Sequence, residues 1–370
     1  MKHSSTYPTY FANPRRDGAI PATSRSVGRI AWSRELGLAH ADVLPALLVW
    51  DGHIVAATFP ALAVFSPNGQ RLWERAKQTG SPAVVANGLL YYENRGCKLD
   101  AVGINNQLVL DNVSFPAAMN SDFRVTLLWP RAKDFIATVY WPGQEPDAKT
   151  GQPTIPKISV RKTIYGERMG AWGTDYEGQQ RLMPLFVPEL DSLVIALAQE
   201  VISIDAKTER EISRFKVPFN ELADWSADAE GILAITGYEE TNKALVALSL
   251  TGQEKWRWID RQQSDRWVAG QPPIRSTGQR VYALTDERIL AFDQGKLLWQ
   301  NEVKNTWPRN GSSLADGSLL VNAGRTLRHL DRDGKERFLV SLNEEILTPP
   351  VVDTEGNIYV ATATQLVQIR

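Results

Sequence analysis

Glycine followed four residues later by tryptophan recurs along the chain as Gly28/Trp32, Gly69/Trp73, Gly252/Trp256 and Gly295/Trp299, and Gly334/Phe338 keeps the spacing. Gly28 to Gly69 is 41 residues, Gly252 to Gly295 is 43 and Gly295 to Gly334 is 39. A fixed period near 40 residues marks a repeat architecture, in which each unit buries its apolar face against its neighbours. A second glycine lies 17 residues upstream in three units, at Gly52, Gly278 and Gly317. Weaker copies fit the same ruler. Asp191 to Thr208 is 17 with Ile212 in the aromatic slot, Gly88 to Asn106 is 18 with Leu110 in that slot, and Gly231 to Gly252 is 21.

Between these marks run short segments that read as alternating and β-rich, such as Arg280-Val281-Tyr282-Ala283-Leu284 and Ile289-Leu290-Ala291-Phe292. Asp51-Gly52, Asn87-Gly88, Asp316-Gly317 and Glu355-Gly356 bound many of them, and such dipeptides supply the positive φ of tight hairpins. Prolines at Pro45, Pro82, Pro184, Pro272-Pro273 and Pro349-Pro350 stand where a first strand begins, a place that tolerates a missing N–H. Each unit therefore reads as a meander of four short antiparallel strands, which is a propeller blade. The 344 residues from Val27 to Arg370, at about 43 each, make eight blades. The third is irregular, running from about Pro116 to Trp172 with an insertion near Pro142–Pro156. The last unit stops at Arg370 before any fourth strand, and Gly28-Arg29-Ile30-Ala31-Trp32 is a fourth strand without a blade. The expectation is an all-β, eight-bladed β-propeller over residues 27–370, closed by an N-terminal strand that completes the last blade. The tryptophan of the repeat is expected to stack between adjacent blades near the perimeter. Residues 1–26 read as a tail, with Tyr7, Tyr10 and Phe11 among polar residues.

The run Ile289-Leu290-Ala291-Phe292-Asp293-Gln294-Gly295-Lys296-Leu297-Leu298-Trp299 resembles the PQQ-like, quinoprotein-type propeller repeat. The resemblance covers nearly the whole chain, strongly in units 1 and 5 to 8 and weakly in units 2 to 4. It implies the fold and leaves function open, because the family holds both enzymes and scaffolds. Its enzymes are quinoprotein dehydrogenases, which place pyrroloquinoline quinone and Ca²⁺ over the ring axis, facing a disulfide between adjacent cysteines. Cys97 is the single cysteine here, so that disulfide cannot form, and Cys97 reads as a buried strand thiol. The chain resembles instead the non-enzymatic branch, to which the propeller lipoprotein of the outer-membrane β-barrel assembly machinery belongs.

Other constellations are thin. His3, His40, His53 and His329 show no metal-ligand spacing. Asp331-Arg332-Asp333-Gly334 begins like a calcium loop but lacks the later ligands, and it coincides with the repeat turn. Glu239-Glu240 and Glu344-Glu345 read as solvated pairs between strands. Neither a catalytic residue, a cofactor nor a metal is expected. Forty-one basic against 42 acidic residues give no electrostatic footprint for nucleic acid.

The reading is a non-enzymatic scaffold that presents one propeller face to a protein partner. A quinoprotein-type dehydrogenase and a cytoplasmic inhibitor or immunity protein for a toxin are the alternatives. Trp225, Trp267 and Trp307 fall outside the repeat slot, with Arg266, Arg275 and Arg309 nearby, and both residue types are frequent in interface hot spots. They form either a partner-binding patch beside units 5 to 7 or packing between blades. The 142–156 insertion is a second candidate surface. The first 28 residues contain no apolar signal core and no lipid-attachment cysteine. A soluble, cytoplasmic monomer without a membrane span is expected, or a periplasmic one if a signal sequence has been trimmed.

Overall fold

The structure is a computed structural model that describes residues 19–36, 46–57, 61–76, 83–86, 88–94, 98–114, 124–130, 134–141, 156–164, 172–178, 180–261, 265–268, 270–276, 280–303 and 308–370. Among these residues the strands form eight four-stranded antiparallel sheets, and the sole helical element is a 3-10 turn at Pro188–Leu190. Seven blades are meanders contiguous in sequence, spanning 46–76, 84–114, 124–177, 180–216, 221–260, 274–302 and 308–341. The eighth takes three strands from 351–369 and its outermost strand from Ile30–Glu35, where Trp32 faces Gln368 and Arg34 faces Leu366.

The strand sequences explain their depth. The first three strands of a blade are packed on both faces by neighbouring blades, so they read as continuous apolar runs. Ala46–Trp50, Ala61–Phe65 and Arg280–Leu284 are buried throughout. Fourth strands alternate, as in Lys296–Glu302, where every second residue is exposed. Hairpins between them use paired positive-φ residues: Asp51 at φ 49° with Gly52 at 76°, and Gln294 at 46° with Gly295 at 83°. That backbone matches the right-handed twist of the strands it joins.

Neighbouring blades share their cores. Buried clusters join blades 1 and 2, 3 and 4, 4 and 5, 5 and 6, and 6 and 7. One larger cluster unites blades 7, 8 and 1, with Leu320 and Leu327 beside Val351 and Tyr359 and these beside Leu47 and Phe65. The first strands of blades 2 and 3 also touch. Contacts between first strands place them innermost, and the fourth strands lie at the rim.

At the rim the repeat motif shows its use. The ring from one blade lies on the turn glycine of the next: Trp32 on Gly69, Trp256 on Gly295, Trp299 on Gly334, and Phe338 on Gly28. A Cβ at Gly334 would stand 2.8 Å from the Trp299 ring, and Gly334 has φ +83°, so both space and backbone require glycine. The indole N–H donates to the carbonyl two residues before that turn position: Trp32 to Pro67 at 3.3 Å, Trp73 to Ile104 at 2.7 Å and Trp299 to Arg332 at 3.0 Å. A bulge opposite the third strand aims the ring, occurring between the partners of Val64 and Phe65 and again between those of Ala291 and Phe292.

Blade 4 departs from the expected slot. Ile212 is exposed and is the extra residue of the bulge. Its neighbour Ser213 donates its hydroxyl to Leu250 O, and the Phe215 ring covers Gly252. The two functions of one tryptophan are split between a hydroxyl and a phenyl ring. The side chain of Leu110, assigned to the slot in blade 2, lies outside the described residues, as does the insertion over 142–155.

Trp299→Ala is expected to lower the unfolding free energy by about 3 kcal/mol through lost ring packing. Trp299→Phe keeps the ring over Gly334 and should cost about 1 kcal/mol for the lost N–H donor. Chemical denaturation of both variants measures the two contributions separately. Equal losses would refute the division.

Candidate functional site

Each blade has two ends. Hairpins between strands 1 and 2 and between strands 3 and 4 form the turn face. Hairpins between strands 2 and 3, together with the links between blades, form the connection face. This geometry breaks up the expected patch of Trp225, Trp267, Trp307, Arg266, Arg275 and Arg309. Trp225 is fully buried on the innermost strand of blade 5, where its indole donates to Met183 O of blade 4 at 2.7 Å. Trp267 is buried in the link from blade 5 to blade 6 and donates to Gly237 O at 2.9 Å. Its ring meets Trp258 edge-on at 6.2 Å. These two indoles are interior packing between blades, as large apolar surfaces with one satisfied donor should be. Arg275 is buried too, pairing with Asp228 at 2.8 Å and donating to Ile232 O at 2.7 Å on the turn face. Arg266 is exposed on the connection face, with its backbone N–H held by Asp286. Thus Arg275 and Arg266 serve opposite faces. Trp307 and the Arg309 side chain lie outside the described residues, as do Cys97, His3 and His40.

Sequence reasoning missed a buried charge cluster between blades 5 and 6. Lys243 Nζ lies 2.7 Å from Asp265 and 3.6 Å from Asp260. Arg288 grips Asp265 through Nε at 2.9 Å and a terminal nitrogen at 2.7 Å, and the same nitrogen is 2.5 Å from Asp260. Its other terminal nitrogen donates to Gln300 at 3.0 Å. Two cations and two carboxylates balance, and all four side chains are at most 8% exposed. Burial opposes ionisation of Asp265, but hydrogen bonds from Arg288 and Lys243 outweigh it and hold the carboxyl down at about 2. The sequence did carry a signal for two members. Lys243 and Arg288 stand just before the apolar runs of two third strands, Asn242–Leu248 and Arg288–Asp293. Asp265, in a link, carried none.

A serine–histidine contact lies in blade 7. His329 Nε2 is 2.9 Å from Ser318 Oγ, which donates to Asp316 at 2.6 Å. The serine proton is thus given to the carboxylate rather than to the imidazole, and Ser318 is fully buried, so the pair does not present a nucleophile. Burial, with Arg337 nearby, lowers the His329 imidazole from 6.5 to about 4. Asp331 accepts the Asp333 and Lys335 amides at 2.9 and 2.8 Å, which makes 331–334 the expected turn. Glu239 and Glu344 are not merely solvated, since Arg257 pairs with the first and the Thr362 and Thr364 hydroxyls reach the second, both at 2.6 Å.

A groove of about 630 Å³ opens on the connection face around blade 4. The link from blade 3 supplies Glu177, the blade 4 hairpin supplies Leu197 and Glu200, and the link to blade 5 supplies Phe219 and Glu221. Arg214 and Lys216 end the outer strand beside it. Arg214 is held at 3.1 Å by Glu200 and at 3.0 Å by Glu211. Acidic, basic and apolar groups thus meet on a rigid hairpin frame.

Fold and rim define the class: an eight-bladed β-propeller of four-stranded antiparallel blades. The family described as outer membrane protein assembly factor BamB matches residues 187–318 and 285–369. Over residues 187–369 the chain thus carries the PQQ-like propeller repeat of this family. No curated protein matches it by sequence. Among solved structures, quinohemoprotein alcohol dehydrogenase ADHIIG from Pseudomonas putida HK5 superposes with a TM-score of 0.64 at 10% identity, covering 98% of this chain and 80% of that one. A europium-containing methanol dehydrogenase gives 0.63 at 9% identity, covering 96% and 89%. BamB from Moraxella catarrhalis gives 0.56 at 13%, covering 92% and 97%. At these identities the likeness concerns the fold. Cys97 has no second cysteine to pair with, so the residues do not fit the disulfide-faced quinone site that the resemblance to the family's enzymes implies. No helix of the described residues is long and apolar enough to cross a membrane.

Two outcomes follow. Asp265→Asn leaves a buried positive charge and is expected to cost about 3–5 kcal/mol by denaturant titration. Protonation adds a separate signature. The folded value of His329 is depressed, so its contribution is complete above about 6.5 and is lost as pH falls toward about 4. The loss reaches about 3 kcal/mol. Melting temperature against pH should show this decline, and His329→Gln should remove it. A decline unchanged in that variant would assign it to another group.

Proposed function

We propose that this propeller is a non-enzymatic scaffold that engages a protein partner through the connection face around blade 4. The carrying observation is the groove of about 630 Å³, where Phe219 and Leu197 lie among Glu177, Glu221, Arg214 and Lys216. An apolar floor with charges of both signs at its margin suits an interface with a hydrophobic centre and a polar rim. The match to the BamB family supports the protein-binding reading. So does the near-complete mutual coverage with the Moraxella catarrhalis BamB chain, 92% of one and 97% of the other.

The test pairs capture with charge reversal. Tagged protein is used to recover and identify a partner from native lysate, and Lys216→Glu with Glu221→Lys is compared with the wild type. The variant should keep its melting curve, since exposed substitutions cost under about 0.5 kcal/mol each. Affinity for the recovered partner should fall at least about tenfold. Unchanged affinity would move the site elsewhere. A stoichiometric complex with pyrroloquinoline quinone and Ca²⁺, accompanied by dye-linked alcohol oxidation, would overturn the non-enzymatic reading.

A further inference from the structure

Residues 19–26 lie outside the blades, yet they follow a strict pattern. From Ile20 to Val27 inward and outward positions alternate, with Ile20, Ala22, Ser24 and Ser26 turned toward the propeller and Pro21, Thr23, Arg25 and Val27 toward solvent. This is the period of an extended strand laid on a surface. The segment crosses the turn face from the innermost strand of blade 7 to the rim of blade 8. Ala19 bridges Ser313 in parallel, and the Ile20 N–H donates to Ser313 O at 2.8 Å. Ala22 O accepts the Ala315 N–H at 3.0 Å. Ser24 Oγ donates to Gly356 O at 3.0 Å.

The surface beneath is shaped for a passing backbone. Gly356 has φ +88°, and a Cβ there would stand 2.9 Å from Thr23 O and 3.1 Å from Arg25 N. Glycine therefore makes the turn and leaves room for the segment to cross it. Ile20 is 1% exposed and enters the cluster shared by blades 7, 8 and 1, beside Leu314. It is the one fully buried side chain between residues 19 and 29. A second or third strand of a blade, by contrast, has ladder bonds on both edges. One side chain and a few hydrogen bonds anchor this segment, which is the profile of a unit that opens locally while the core stays closed.

We propose that the turn face of blades 7 and 8 is a groove for an extended peptide, occupied in this structure by the chain's own residues 19–26, and that this strap opens independently of the blades. The occupant chemistry follows from the contacts: an aliphatic side chain for the Ile20 pocket, then small residues at the second and fourth positions beyond it. Recognition is through main-chain bonds to a strand end, as in other strand-addition sites.

Hydrogen exchange on the full chain tests the first half. The Ile20 and Ala315 amides should exchange at least about a hundredfold faster than amides within Leu319–Ala323. The Arg29 and Arg370 amides, which pair with each other's carbonyls across blade 8, should stay protected. Equal protection of strap and blade amides would overturn the proposal without any variant. The second half uses full-length Ile20→Asp and a synthetic peptide of residues 19–27. The peptide should bind this variant one to one, leave the wild-type chain unoccupied, and lose binding when it carries Ile20→Asp itself. Should Ile20→Asp not fold, Gly356→Ala displaces the strap from the other end and takes its place. Absence of peptide binding to a folded, strap-released variant, at concentrations up to about 1 mM, would overturn the groove.

Discussion

The structure depends on one repeated contact, an aromatic ring on one blade resting on a glycine of the next. A four-stranded sheet alone buries little, and a ring of such sheets is stable only if every neighbour sits at the same angle and depth. The pairing of Trp299 with Gly334, repeated as Trp32 with Gly69 and Trp256 with Gly295, sets that depth from the outside. It works because the ring contributes apolar area, the indole N–H engages a turn carbonyl, and the glycine admits no Cβ between them. Blade 4 shows that the geometry is required and the residue is not, since Ser213 and Phe215 together meet the same two conditions.

Inside the rim, polar groups are used where blades must not slide. Lys243, Asp260, Asp265 and Arg288 form a balanced cluster in a medium where an unmatched charge is severely penalised. That penalty turns a set of ion pairs into a register lock, because shifting blade 6 along blade 5 would carry Arg288 away from both carboxylates. The Trp267 indole on Gly237 O and the Arg275 pair with Asp228 add bonds across the same boundary. Blades 5 and 6 are thereby joined at both faces by groups with little freedom.

This division of labour has a functional counterpart. The turn face over blades 7 and 8 carries the strap of residues 19–26, whereas the connection face around blade 4 carries an open groove with charges of both signs. A rigid ring with two chemically different faces can hold one partner while its other face is used for something else. Neither role calls for a strained residue or an activated nucleophile. The serine–histidine contact at Ser318 and His329 is turned inward and its proton is already committed.

The sequence by itself determined the fold, down to its seam. A near-40-residue period, turn dipeptides between short strands and a leftover strand at Gly28–Trp32 leave few other ways to bury the apolar faces, and Ile30–Glu35 does complete the last blade. These are local signals, written in residues close to one another along the chain. Away from the rim, what lies between blades was not legible. Trp225 and Trp267, outside the repeat slot, could equally be a surface patch or packing between blades, because burial is decided by neighbours 30 to 42 residues away in sequence. Asp265 gave no sign that two cations would converge on it, and Ile212 occupied the predicted slot while Phe215 did the work. Only the tertiary structure decided these, because a side chain's environment in a propeller is set by the adjacent blade. The period reveals that such a blade exists, but it does not specify which atoms that blade presents.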